Sequence, residues 1–193
     1  MTPLLKDTRG QSVVEFAIVL PLLLIVVLGV IEVSYALLDQ HVVTKLSREG
    51  SNLISRDTSL ADAAAAIKSM SGRPVDFSTH SRLIFSVVRR GATTGTGNFN
   101  KDVLYQRYEY GALAATSKMS TRGSGAYGTG PEYEAVNADG DTNLQVTNLP
   151  SGIVLSTGGT IYITEIFTTH ELITPFDKFG VTVPKTLYSI AYF

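Results

Sequence analysis

An uncharged run, FAIVLPLLLIVVLGVI, extends from Phe16 to Ile31 between two acids, Glu15 and Glu32. Beyond Glu32 the chain stays apolar through VSYALL to Leu38. A hydrocarbon core about 30 Å thick needs roughly 20 helical residues at about 1.5 Å each. Phe16 to Leu38 meets that length if Glu32 sits at the far interface or is paired. A cleaved secretory signal peptide, with Lys6 and Arg9 as its basic region, fits less well. The run is long for one, and no Ala-x-Ala site follows it. A core helix of a soluble protein suits this composition less than a membrane span does.

Two residues inside the run are weak points. Pro21 removes a backbone donor and crowds the carbonyl of Ala17, so a kink or loosened turn is expected there. Gly29 offers a second such place and allows close helix approach. No proline follows until Pro74, and Val42, Leu46 and Leu53, with Val43 and Ile54 as an alternative facing pair, recur near a 3.6-residue period. One helix from about Ser12 to Arg56 would be about 67 Å long. Its second half would pack an apolar stripe on a following domain.

Composition removes several function classes. Lys plus Arg is 16 and Asp plus Glu is 17, a net charge of -1, so the basic face of a nucleic-acid-packaging protein is not expected. With no cysteine there is no disulfide, thiol catalysis or Cys-ligated zinc. The three histidines, His41, His80 and His170, form no ligand pattern, and His170-Glu171 lacks the second histidine of H-E-x-x-H. Asp139-Gly140-Asp141-Thr142-Asn143 begins like a calcium loop, but the sixth and twelfth loop positions are Leu144 and Pro150. A polar turn is the better reading, with calcium in a different kind of loop left open. No enzymatic activity, cofactor or metal is expected.

The segment around Glu15 reads Arg9-Gly10-Gln11-Ser12-Val13-Val14-Glu15-Phe16. It resembles the processing site of class IV prepilins of the Tad/Flp branch. The order Gly10, Glu15-Phe16-Ala17, Leu20-Pro21, Gly29, Glu32 and Arg48-Glu49 is similar to that of the TadE-like family over about the first 56 residues. The resemblance implies cleavage by a prepilin peptidase between Gly10 and Gln11, leaving Glu15 as the fifth mature residue. It further implies that Glu15 pairs with the new amine, within or between subunits, and that Phe16 stands beside it. Glu32, about 25 Å further along an ideal helix, is expected either to face water at the outer interface or to contact a platform or neighbouring subunit.

The resemblance also implies a division of the chain: leader 1–10, transmembrane helix 11–38, helical stalk 39–56, and an α+β head over 57–193. The fold class is α+β and pilin-like, with a long N-terminal helix packed on a small antiparallel sheet. In the head, Thr58 or Ser59 is expected to cap a short helix over LADAAAAIKSM that ends at Gly72 and Pro74. Strands are expected over 82–89, 102–110, 143–149, 160–169 and 186–193. The glycine-rich stretches 91–98 and 120–130 read as mobile surface loops, with partner or ligand contact as the alternative. TIYITEIFTTHELITPF, with Glu165 in a strand, and TLYSIAYF look like the returning hairpin and final strand of TadE-like proteins.

The function implied is a minor pilin or pseudopilin of a Tad-type pilus, acting in priming, assembly or a tip position. Its partners would be the peptidase, other pilin subunits, the inner-membrane assembly platform and the lipid bilayer, with no nucleic acid. The head would stand in the periplasm, or at the cell surface after assembly. The alternatives are a permanent single-pass inner-membrane assembly factor and a membrane-anchored adhesin.

Overall fold

A computed structural model describes residues 10–174 and 185–193, with Gln11 described by its backbone alone. Lys6, Asp7 and Arg9 of the expected leader lie outside the described residues, as does the end of the HELITPF stretch. Helix α1 spans Gln11–Ile54 and α2 Leu60–Met70. Strands β1 (Ser81–Arg90), β2 (Asp102–Tyr110), β3 (Thr160–Thr169) and β4 (Thr186–Tyr192) form one antiparallel sheet in the order β2-β1-β3-β4. The fold is α+β, a long apolar helix with a four-stranded sheet. Contacts divide the described residues into two compact units, 10–38 with 171–174, and 39–170 with 185–193.

In the second unit, Val43, Leu46, Ser47, Gly50, Ser51 and Ile54 of α1 are all buried. Their spacing of three and four residues makes them one helix face. Helix α2 starts where Ser59 Oγ accepts the Asp62 N–H at 3.1 Å, and it buries Leu60, Ala63, Ala64 and Ile67. Asp62 in its first turn and Lys68 in its last both oppose the helix dipole favourably. Burying Leu60 and Ile67 stabilises the unit by about 1.5–3 kcal/mol each.

The two helices pack on the sheet face that carries Leu83, Phe85, Val87 and Ile166. The opposite face carries Val88, Leu104, Ile161 and Ile163 and is covered by Met119, Leu149, Ile153 and Leu155 of the long β2–β3 connection. Coverage on both faces explains why SRLIFSVV reads as an almost continuous apolar run rather than an alternating one. A register shift between Val87 and Val88 skips Tyr105, whose ring lies under the Arg89 guanidinium at 3.6 Å.

The expected strand over 143–149 does not form. Thr142–Leu144 is a single 3-10 turn instead, capped by Asp141, whose Oδ1 accepts the Asn143 N–H at 3.0 Å. Beyond that turn only single bridges form, Gln145 to Val103 and Val146 to Thr121, with no continuous ladder. The stretch 91–98 is also more than a surface loop. Asn98 is 1% exposed, and its amide donates to the carbonyls of Ala138 and Asp141 at 2.7 and 2.8 Å. Gly91 is required there, since a Cβ would fall 2.0 Å from the Asn98 carbonyl oxygen.

Candidate functional site

Gly10 is the exposed turn residue immediately before α1, and its carbonyl accepts the Val14 N–H at 3.3 Å. The Gly10–Gln11 peptide therefore sits at the mouth of the helix. A Cβ at Gly10 would meet nothing within 4 Å. Packing within the described chain does not demand glycine at this position. If the bond were cut, the new amine at Gln11 would lie four residues before Glu15, on the same helix face.

Glu15 and Phe16 are exposed, Phe16 by 64%. Around them Val13, Ile18, Leu22, Val26 and Val30 are exposed as well. A helix this apolar, with these side chains exposed, has the length and composition to cross a membrane. Pro21 does not end α1, which runs unbroken through it. The proline still leaves the Ala17 carbonyl without its donor four residues on.

Glu32 departs from the water-facing expectation. It is 4% exposed, and its carboxylate is engaged by the chain itself. The Ile173 N–H donates at 3.2 Å, the Thr174 N–H at 2.9 Å and the Thr174 hydroxyl at 2.5 Å, all three to Oε2. Leu28 and Gly29, half-buried, share the face of Glu32, and Ala36 continues it. The start of the β3–β4 connection is thereby fastened to α1 within the first unit. Nothing in local patterning announces a contact between residues 141 and 142 positions apart.

The second unit uses its other buried polar groups in the same way. His170, next to the end of β3, places Nδ1 2.7 Å from Asp39 Oδ2. Glu165, fully buried, accepts from the Ser117 hydroxyl, from the Lys118 N–H at 2.8 Å and from the Tyr188 hydroxyl at 2.9 Å. Burial, and then the adjacent Glu165, push the Tyr188 phenol well above its ordinary range. Glu165 thus ties the segment after β2 to β3 and β4, and its oxygens are occupied by the chain's own donors. Ser47 Oγ lies 2.7 Å from Ser189 Oγ, and Ser51 donates to the Ala191 carbonyl at 2.9 Å, which brings α1 close to β4. The small residues Ser47, Gly50 and Ser51 on one helix turn were the available signal for that approach.

His41 is exposed on α1, and His80 binds Thr79 and the Pro74 carbonyl. Among the described residues no three His, Asp or Glu side chains gather as a metal site. In the 139–143 turn, Asp139 accepts from Thr93, Asp141 caps the 3-10 turn, and Asn98 occupies two carbonyls of the loop.

The family model described as TadE-like protein matches residues 10–52, under a quarter of the chain. No curated protein and no solved structure matches. The matched segment starts at Gly10 and ends within the last turn of α1, so it takes in Glu15, Pro21, Gly29 and Glu32. The chain is thus similar to TadE-like proteins over residues 10–52, and its apolar helix has the length and composition to cross a membrane.

Proposed function

We propose that the chain is a minor pilin or pseudopilin of a Tad-type pilus, cut after Gly10 by a prepilin peptidase and acting in filament priming, assembly or a tip position. The observation that carries this reading is the junction itself. The TadE-like match begins at a glycine that the described packing does not require, one residue before an exposed apolar helix with Glu15 in its second turn. A membrane peptidase could reach such a bond, and the uncovered helix could then leave lipid and pack among other subunits. Glu15 and the new amine would set register, because a misplaced subunit would leave a charge unmatched in an apolar surrounding. The partners in this reading are the peptidase, other pilin subunits and the inner-membrane platform. The head lies in the periplasm before assembly, and the chain has no enzymatic role.

Sequencing the mature N-terminus in cells with and without the peptidase tests the reading. A start at Gln11 only when the peptidase is present supports it; an uncut N-terminus in both strains sinks it. A permanent single-pass assembly factor is the second reading, favoured by Glu32 being satisfied by its own chain rather than left for a neighbour. Sheared filaments that contain the protein exclude that second reading.

A further inference from the structure

Three cationic side chains converge at the end of the sheet where β1 stops and β2 begins. Arg90, Lys101 and Arg122 line an open cleft of about 400 Å³ together with Asn100, Asp102, Gln145 and Thr147. Their backbones are held. Arg90 N–H donates to the Gly159 carbonyl at 2.9 Å, Lys101 N–H to Asn98 at 3.0 Å and Arg122 N–H to Gln145 at 3.0 Å. Asp102 is the cleft's single carboxylate, and it is engaged by Arg90 Nη1 at 3.1 Å. Among the described residues neither Lys101 nor Arg122 has an ion pair, and both are exposed. In a chain of net charge -1, this is a local excess of positive charge fixed at one place.

We infer that this cleft binds an acidic oligosaccharide, with Lys101 and Arg122 taking the carboxylate groups, Arg90 being held by Asp102, and the Asn100 amide nitrogen and the Thr147 hydroxyl meeting the sugar hydroxyls. The volume lies in the range of small-molecule sites and exceeds what one inorganic anion fills. The lining is polar, with Val146 as its apolar member, so an apolar ligand finds no wall. No aromatic ring lines it, so a nucleobase finds no stacking platform. Amide and hydroxyl groups beside guanidinium and ammonium groups match a ligand that carries both hydroxyls and carboxylates. The site lies in the sheet unit and does not depend on the processing proposed at Gly10.

The test is calorimetric titration of the full chain in detergent at low salt, with tetragalacturonate as the probe and neutral maltotetraose and sodium sulfate as comparisons. Tetragalacturonate is expected to bind saturably and more weakly as salt rises. Lys101→Gln or Arg122→Gln should each weaken it about tenfold, while Lys118→Gln, an exposed lysine outside the cleft, should leave it unchanged. Circular dichroism of each variant should match the parent, since both cations are exposed. Absence of saturable binding, equal affinity for maltotetraose, or equal loss with Lys118→Gln would overturn the inference. Sulfate binding as tightly as the tetrasaccharide would overturn the saccharide assignment and leave a bare anion site.

Discussion

At Gly50 α1 comes close to the sheet, and Gly50→Ala tests that packing. A Cβ there would lie 2.8 Å from Thr164 Cγ2, 2.9 Å from Thr164 Oγ1 and 3.1 Å from Phe85 Cε1. Carbon atoms in good contact sit about 3.5–4.0 Å apart, so Thr164 would have to retreat by most of an ångström. It is fully buried and β-branched, and its χ1 has little freedom. Overpacking of this kind costs about 1–3 kcal/mol. Alanine regains about 1 kcal/mol of helix propensity over glycine. The expected net effect is a loss of about 0–2 kcal/mol.

The sign should change in a Thr164→Ala background. That substitution removes the two nearest atoms and leaves the 3.1 Å approach to Phe85 Cε1 as the nearest contact. It also removes a buried hydroxyl that has no hydrogen-bond partner among the described residues. In this background Gly50→Ala should stabilise by up to about 1 kcal/mol, a coupling of about 1–3 kcal/mol between the two sites. The assay is denaturant unfolding of the full chain in detergent, followed by tyrosine fluorescence, which no tryptophan masks. Equal destabilisation by Gly50→Ala in both backgrounds would refute the claim that Thr164 makes glycine necessary.

Replacing Glu32 with Ala strands the Ile173 and Thr174 amides, and hydrogen exchange at those two residues should rise at least tenfold while the sheet amides stay protected. Gly10→Val should leave stability within about 0.5 kcal/mol of the parent, because the side chain meets open space, yet abolish the terminus at Gln11 that the proposed processing would give on N-terminal sequencing. Burial pushes the Tyr127 phenol up to about 12 from its ordinary 10.0. The neutral ring therefore contributes stability that is complete below pH 10.0 and lost as pH rises through about 12. Tyr127→Phe should remove that part of the alkaline unfolding curve, and an unchanged curve would deny it. Hydrogen bonds from Ser78 and Thr79 hold the exposed Asp76 carboxyl below its usual 3.8. The stability it adds is present above that value and fades as pH falls further, so Asp76→Asn should flatten the acid limb of the unfolding curve.

Local chemistry was enough to read the long helix, the cap at Ser59 and four strands. Charge-free composition defines a membrane-length helix whatever it packs against. Ser59 meets Asp62 only three residues on. Strands with apolar runs between turn residues carry their own signal, and β2 and β3 occupy the expected 102–110 and 160–169. Residues 143–149 show the same logic failing, because the cap by Asp141 winds Thr142–Leu144 into a 3-10 turn and Gln145 and Val146 make only single bridges.

By itself the sequence determined which segment can enter lipid and that no cysteine chemistry is open to the chain. Those properties depend on residues that are neighbours along the chain or on bulk composition. Only the tertiary structure decided that Glu32 fastens to Ile173 and Thr174, that Glu165 is held by Ser117, Lys118 and Tyr188, and that Arg90, Lys101 and Arg122 share one cleft. A buried carboxylate must find donors, and the chain can supply them from any residue that folding brings near. The partner's position in sequence carries no periodic or compositional mark, so only the folded arrangement reveals it.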